Sequence, residues 1–272
     1  MAISVLVLTK NEQDNLPGCL ESVAWCDDVI VFDSYSTDET AAIAERFGAR
    51  VVKRAFDNWA AHQNWGIRNL PFKHPWVFYI DADERMTPEL SANIERAVVG
   101  AGERVAFRVQ RRDFFMGTWL RHVQLSAFYL RLFRPEKMRY ERLVNPVSIA
   151  DGPVGSVAGF LDHFPFSKGV GQWFERHNSY STLEALQIMQ NRGARPIRSL
   201  RLAFTAADFH ERRFHQKELF YRLPCRPMTK FLYIYLGKRG FLDGRAGLTY
   251  ATLQAIYEYM IVIKVRELKA AR

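Results

Sequence analysis

The chain has 272 residues, 48% of them hydrophobic, which is enough to bury a large core and excludes a disordered protein. A formal net charge of +9 points to an acidic partner: nucleotide phosphates, nucleic acid or an anionic membrane surface. Three cysteines, Cys19, Cys26 and Cys225, form neither a CxxC pair nor an even framework, which argues against a disulfide scaffold and for a reducing cytoplasm.

Ile3-Ser-Val-Leu-Val-Leu-Thr9 reads as a strand entered directly, without a basic leader or cleavage site, so no signal peptide is expected. Lys10-Asn11-Glu12 stands at its carboxyl end. Asn15-Leu16-Pro17 opens a helix with Leu16, Leu20 and Val23 on one face. Val29-Ile-Val-Phe-Asp33 is a second strand ending on an acid, and Ser36-Thr37-Asp38-Glu39 carries the signals of a helix start. That helix stops at Gly48, and Val51-Val52 is a third strand. Residues 59–70 read as a helix ended by Pro71. Val77 to Ile80 form a fourth, buried strand, and a helix running to Val99 is closed by Gly100. The order β-α-β-α-β-α-β-α predicts a doubly wound, mostly parallel α/β sheet with helices on both faces.

The second half is less regular. Residues 105–111 and Phe128–Phe133 look like strands, and Gly152, Gly155 and Gly159 punctuate short extended pieces. Residues 173–191 form a helix. From Arg195 the chain turns basic, aromatic and helical, including 231–236 and 248–268. No apolar run has the length of a membrane span; the nearest, 246–263, carries Gln254, Glu258 and two threonines.

The fourth strand ends Ile80-Asp81-Ala82-Asp83-Glu84. In an extended backbone Asp81 and Asp83 point to one side and can reach one ligand. Paired carboxylates repel unless a cation sits between them, and oxygen donors favour Mg²⁺ or Mn²⁺. The plainer alternative is a turn and helix cap leading to Thr87-Pro88.

Leu8-Thr9-Lys10-Asn11-Glu12, Phe32-Asp33-Ser34-Tyr35-Ser36-Thr37-Asp38 and Asp81-Ala-Asp83-Glu84, in this order and spacing, resemble the family 2 glycosyltransferases of GT-A fold. Gln63-Asn64, Arg131-Leu-Phe-Arg134, Asp151-Gly-Pro-Val-Gly155 and Tyr180-Ser181-Thr182 are similar to the branch that glucosylates the lipopolysaccharide inner core. The likeness covers roughly the first 190 residues. It implies an inverting, metal-dependent transfer from a nucleotide sugar, most often a UDP-sugar, to a lipid-linked or saccharide acceptor in cell-envelope assembly, with Mn²⁺ or Mg²⁺.

Carried over by position, Thr9, Asn11 and Glu12 would line the nucleoside pocket, and Asp33 would pair with the uracil edge. Asp81 and Ala82 would sit near the ribose, and Asp83, with Asp81, would bind the metal. Asp33 could equally cap its own turn. Gln63 could contact the base or lie on a solvated helix face. His163 could bind metal or diphosphate, although isolated histidines are usually structural. Arg131 and Arg134 could hold diphosphate or be surface charges.

One departure concerns the general base. The resemblance implies a His-Glu pair just before Asp151-Gly-Pro, where this chain has Val144-Asn145-Pro146. A carboxylate expected before Arg131 is also replaced, by Ser126-Ala127-Phe128. Glu141 is the first substitute and Asp113 the second, with Asp162 a neighbour that could orient His163; a phosphate acceptor would need no base.

The expected organisation is a nucleotide-sugar half (1–110), an acceptor half of the same domain (111–195) and a helical basic-aromatic extension (196–272), in a cytoplasmic protein whose extension either packs on the core or lies on the inner face of the cytoplasmic membrane. No RRM, helix-turn-helix or zinc pattern supports nucleic acid, and nothing specifies an oligomer. The rival enzyme class is a sugar-phosphate nucleotidyltransferase, which would place a Gly-rich loop where Thr9-Lys10-Asn11-Glu12 stands. An inactive nucleotide-binding homologue is the third reading.

Overall fold

The computed structural model describes residues 2–124, 126–141, 147–194, 200–205 and 219–271, with 212, 215 and 216. They divide into two compact units, Met1–Phe115 with Leu125–Ser167, and Met116–Gln124 with Lys168–Arg272. The boundary expected near residue 195 lies outside the described residues.

The first unit is built on one sheet. β1 (Ile3–Thr9) is parallel to β2 (Val29–Asp33) on one side and to β4 (Trp76–Asp81) on the other, and β3 (Arg50–Lys53) continues the parallel run beyond β2. Alternate residues of a strand face opposite sides, so each strand feeds two cores. Val5, Val7, Val31, Phe78 and Ile80 pack with Leu16 and Leu20 of α1 (Leu16–Ser22), Ile43 of α2 (Thr40–Arg46) and Leu90 and Ile94 of α4 (Pro88–Val99). Leu6, Ile30, Phe32, Val77 and Tyr79 pack with Ala60 and Ile67 of α3 (Trp59–Asn69). Burial on both faces is why these strands are almost wholly apolar, each large side chain contributing about 1.5–3 kcal/mol.

The helix ends follow their local signals. Asn58 caps α3 by accepting from the Ala61 amide (2.9 Å), and Thr87 caps α4 before Pro88, with Gly100 at its end. α2 starts later than its sequence signals suggest, at Thr40. Ser36, Thr37 and Asp38 are instead tied to the loop after β1: the Asn11 amide donates to Ser36 Oγ, the Thr37 amide to Asn11 Oδ1 and the Gln13 amide to Asp38.

Glu84 does not lead into a helix. It opens β5 (Glu84–Met86), a strand the apolar pattern is too short to announce. β6 (Ala106–Phe115) runs further than its apolar core. After the short β7 (Thr118–Trp119) come β8 (Phe128–Phe133), β9 (Met138–Glu141), β10 (Val147–Ala150) and β11 (Val154–His163). The sheet order is β3-β2-β1-β4-β8-β6-β11-β5, with β9 and β10 forming a separate antiparallel pair. β8 is antiparallel to β4 and β6, β11 parallel to β6, and β5 antiparallel to β11. The chain steps outward from β1 to β3 and then returns to the other side of β1 as β4. That reversal is the switch point where open α/β sheets bind ligands.

The second unit is helical: α5 (Gly169–Ala194), α6 (Leu200–Thr205), α7 (Arg226–Leu232), a π-helical turn (Tyr233–Gly237), a 3₁₀ turn (Gly240–Asp243) and α8 (Gly244–Ala270). Ala185 and Ile188 of α5 pack on Ile261 and Val265 of α8. No helix among the described residues is long and apolar enough to cross a membrane.

Candidate active site

The parallel strands β1, β2 and β4 end together at Thr9, Asp33 and Asp81. At the first two ends the polar groups hold each other. Asp33 is fully buried; its Oδ1 accepts from Thr9 Oγ1 (2.9 Å) and Ser36 Oγ, and its Oδ2 from the Ser36 amide (2.8 Å). This is the capped-turn arrangement. Lys10 Nζ donates to the carbonyls of Ser34 (3.0 Å) and Tyr35 (2.6 Å), and Glu12 Oε2 accepts from Asn15 (2.8 Å). Asn11 and Tyr35 both hold left-handed φ, of 53° and 57°, a strained geometry that concentrates at ligand-holding loops.

The third end carries most of the charge. Asp81 closes β4, Ala82 and Asp83 form a tight turn, and Glu84 returns in β5. The extended-backbone argument for Asp81 and Asp83 therefore does not hold, because the chain reverses between them. The two carboxylates reach different partners. Asp81 accepts from the Tyr79 hydroxyl on its own face of β4 and from Arg131 Nη2 (3.0 Å). Asp83 Oδ2 lies 3.3 Å from His163 Nε2.

Glu84 is the residue that sequence reasoning passed over. Its side chain is 0% exposed, accepts from the Asp81 amide (2.9 Å) and from Arg131 Nη2 (2.6 Å), and lies 3.6 Å from Arg111 Nη1. Burial pushes its carboxyl up to about 7, against the pull of Arg131. Burial opposes the charge of Arg131 as well, but Glu84 and Asp81 outweigh it and hold the guanidinium firmly protonated. Arg131 stacks over Tyr79, 4.4 Å from the ring centre.

The network continues across the sheet. Arg111 Nε is 3.1 Å from Asp113 Oδ1, which also lies 2.5 Å from His163 Nδ1. Strand register makes this meeting: His163 stands opposite Asp113 of β6 and Glu84 of β5. Burial works against a charged His163, yet its contacts with Asp113 and Asp83 prevail and raise it to about 9. One chain of contacts thus runs Asp81–Arg131–Glu84–Arg111–Asp113–His163–Asp83. Asp162, expected beside His163, instead pairs with Arg112.

Three expected residues are placed apart. Arg134 lies over Trp76, 4.8 Å from its ring centre, at the start of β4. At about 3.3 Å per residue this is some 17 Å from Asp81, so the structure does not bring Arg134 to the carboxylates. Glu141 follows Tyr140 on β9. Tyr140 is buried within electrostatic reach of Arg131 and Asp81, so Glu141 points the other way, exposed and 3.2 Å from Arg139. Gln63 is buried, not solvated, and its Oε1 has no partner among the described residues. Its neighbour Asn64 clamps the Tyr140 amide (2.8 Å) and carbonyl (2.7 Å). Val144, Asn145 and Pro146 lie outside the described residues.

Residues 4–163 match the family profile described as Glycosyl transferase family 2. The lipopolysaccharide core biosynthesis glycosyltransferase LpsC of Rhizobium meliloti (strain 1021) is 28% identical over 276 residues, covering 95% of this chain and 92% of LpsC. The uncharacterized glycosyltransferase RT0209 of Rickettsia typhi (strain ATCC VR-144 / Wilmington) is 23% identical over 277 residues, covering 98% of this chain and 87% of its own. Among solved structures, S. aureus TarS 1-349 in complex with UDP aligns over 100% of this chain and 92% of TarS, with 13% identity and a TM-score of 0.49.

Proposed function

The chain belongs to glycosyl transferase family 2, and on that premise we propose that it moves a sugar, with inversion, from a UDP-sugar to a saccharide or lipid-linked acceptor in lipopolysaccharide core assembly. The likeness to LpsC along almost its whole length supports the acceptor class. The observation that carries the reading is the charged network at the end of β4, beside the switch point of the sheet.

The donor set there fits a divalent metal. Asp83 Oδ2 and His163 Nε2 lie 3.3 Å apart and would bind an ion together once it displaces the Nε2 proton, and Asp113 holds the other ring nitrogen, the arrangement that orients a metal-binding imidazole. Among the described residues no three such side chains meet as a metal site. Mn²⁺ or Mg²⁺ bound between Asp83 and His163 would complete its shell with phosphate oxygens and water. Bound there, the ion would neutralise charge on the departing diphosphate.

The protein groups have separate tasks. Asp83 and His163 would hold the ion, with Asp81 beside them. Arg131 keeps Asp81 and the buried Glu84 compensated and in place. Asp113 positions His163. For a hydroxyl acceptor, Asp113 and Glu141 remain the two bases to test, and Asp113 is the one that lies inside the network.

A thermal-shift panel of nucleoside diphosphates and UDP-sugars, with and without Mn²⁺, tests the reading. A ligand at 100 times its Kd adds about 2.7 kcal/mol to native stability. UDP or a UDP-sugar with Mn²⁺ should raise the melting temperature most, and Asp83→Ala should remove the metal-dependent part. A panel with no nucleotide response, or an equal response in Asp83→Ala, overturns the assignment.

A further inference from the structure

In the second unit several large apolar side chains close together in sequence are exposed. Met228, Leu232 and Leu236 recur at four-residue spacing and share a helical face through α7 and the π-helical turn. They are 60%, 45% and 55% exposed, while Ile234 on the inner side is buried. Tyr233 (58%) lies beside them, and the following 3₁₀ turn adds Phe241 and Leu242, about half exposed. Residues 226–243 therefore carry six large apolar side chains that are each about half exposed, the kind of surface that marks an interaction site.

The exposed charges within this stretch are of one sign: Arg239 and Arg245 are exposed. Lys238 is half-buried and donates to the Val123 carbonyl (3.2 Å), and Lys230 lies over the Phe220 ring. The single acidic residue between 226 and 250, Asp243, is buried and accepts from the amides of His122 (2.9 Å) and Val123 (2.9 Å). The neighbouring Arg226 is buried with Glu258. Met228 also borders a cleft of about 500 Å³, lined by Leu223, Pro224, Tyr259 and Val262 with Arg266 and Lys269.

We propose that this face docks on an anionic lipid bilayer, with Met228, Leu232, Leu236 and Leu242 entering the acyl boundary and the flanking cations at the phosphates. Apolar side chains bordered by Lys and Arg, with a tyrosine between them, are what an interfacial segment needs. A second copy of this chain is a poorer occupant. A two-fold contact would set this face against itself and bring like cations together. The apolar cleft with Arg266 and Lys269 suits an acyl chain beneath a phosphate headgroup. The part of α8 that packs on α5, through Ile261 and Val265, is already covered. The docking face is therefore α7 with the two turns after it. This inference does not depend on the transfer reaction, since binding is read without donor or acceptor.

The test is flotation of the full chain with vesicles of phosphatidylglycerol and phosphatidylethanolamine, and with phosphatidylcholine alone. The parent should float with the anionic vesicles and remain behind with the neutral ones. Leu232→Ser/Leu236→Ser/Leu242→Ser should weaken anionic binding by roughly tenfold or more, with an unchanged melting temperature because the residues are exposed. Val99→Ser, on the exposed end of α4, should bind as the parent does. Arg239→Glu/Arg245→Glu should weaken binding at low salt. If the triple variant melts early, Leu236→Ser and Leu242→Ser singly carry the same test, each with a smaller loss. Parent protein that ignores anionic vesicles, or apolar variants that float unchanged, overturn the proposal. So does light scattering that shows a parent oligomer dissolved by the same substitutions, which would assign the face to protein contact.

Discussion

At the residue scale, the site is dominated by charges that have given up water. Glu84 and Arg131 are both buried, and each is tolerable only because the other is there. Arg131→Met should cost about 3–5 kcal/mol in urea unfolding, since it removes the guanidinium that both Glu84 and Asp81 bond and leaves Glu84 only the more distant Arg111 (3.6 Å). Adding Glu84→Gln should recover part of that loss, and purely additive costs would show that the pair is not coupled. The proposed metal ligands make a second prediction. Asp113→Asn should weaken Mn²⁺-dependent nucleotide binding about 10–100-fold through misplacement of His163, while Glu141→Gln should leave binding near normal. Transfer to a hydroxyl acceptor separates the two as bases: the true base should lose roughly 10²–10⁴-fold in rate when neutralised. If neither change slows transfer, the acceptor is an anion or the base lies elsewhere.

At the element scale, two features hold the strands in the register that the site needs. β11 carries an irregularity between Val157 and Phe160, where Gly159 has φ of +103°. A Cβ there would lie 2.9 Å from Leu90 Cα, so both conformation and space call for glycine. Gly159→Ala should cost at least about 1–3 kcal/mol and move His163 relative to Asp113. Mn²⁺-dependent nucleotide binding should therefore fall along with stability. Binding unchanged at a lower melting temperature would show that the bulge serves packing alone. The second feature is Asp28, at the entry to β2. Its carboxylate takes Ser4 Oγ of β1 (2.5 Å), the Lys73 amide before β4 (2.8 Å) and Arg50 Nη2 of β3 (2.5 Å). Burial alone would raise its pKa, but these three partners lower it below the usual carboxylate value. A depressed folded pKa contributes stability that is present above the unfolded value near 3.8 and lost as pH falls through the folded one. Asp28→Asn should cost about 1–3 kcal/mol at neutral pH and flatten the acid limb of the stability profile. An unaltered acid limb would sink the assignment.

At the scale of the whole molecule, the residues of the network belong to the first unit and the apolar basic face to the second. Within the second unit Asp243 receives the amides of His122 and Val123 and the His122 ring (2.6 Å). Asp243→Ala leaves those donors, of which the Val123 amide is buried, without an acceptor and should cost about 1–3 kcal/mol. Amide exchange at residues 122–123 should speed up, while the nucleotide-dependent thermal shift should keep its size, because no proposed ligand residue lies in that unit. A diminished nucleotide response would show that the second unit supports the site.

Apolar runs ending at Thr9, Asp33 and Asp81, with helix-end signals at Pro71, Thr87-Pro88 and Gly100, made most of the first sheet legible from sequence alone. These signals are local: a strand buried on both faces is continuously apolar, and a helix end must satisfy its own backbone groups. Asp81, Asp83 and His163 were legible as candidates, but their partners were not. Glu84 looked like a cap because β5 is only three residues long and pairs with a strand far along the chain. Arg131 and Arg134 looked equivalent until the sheet placed one over Tyr79 and the other over Trp76, three residues back at the start of β4. Asp113 and His163 are 50 residues apart, and only the pairing of β11 with β6 brings the carboxylate to the ring. Strand register over that distance is set by which side chains find a buried face together, and no local stretch of sequence carries that information.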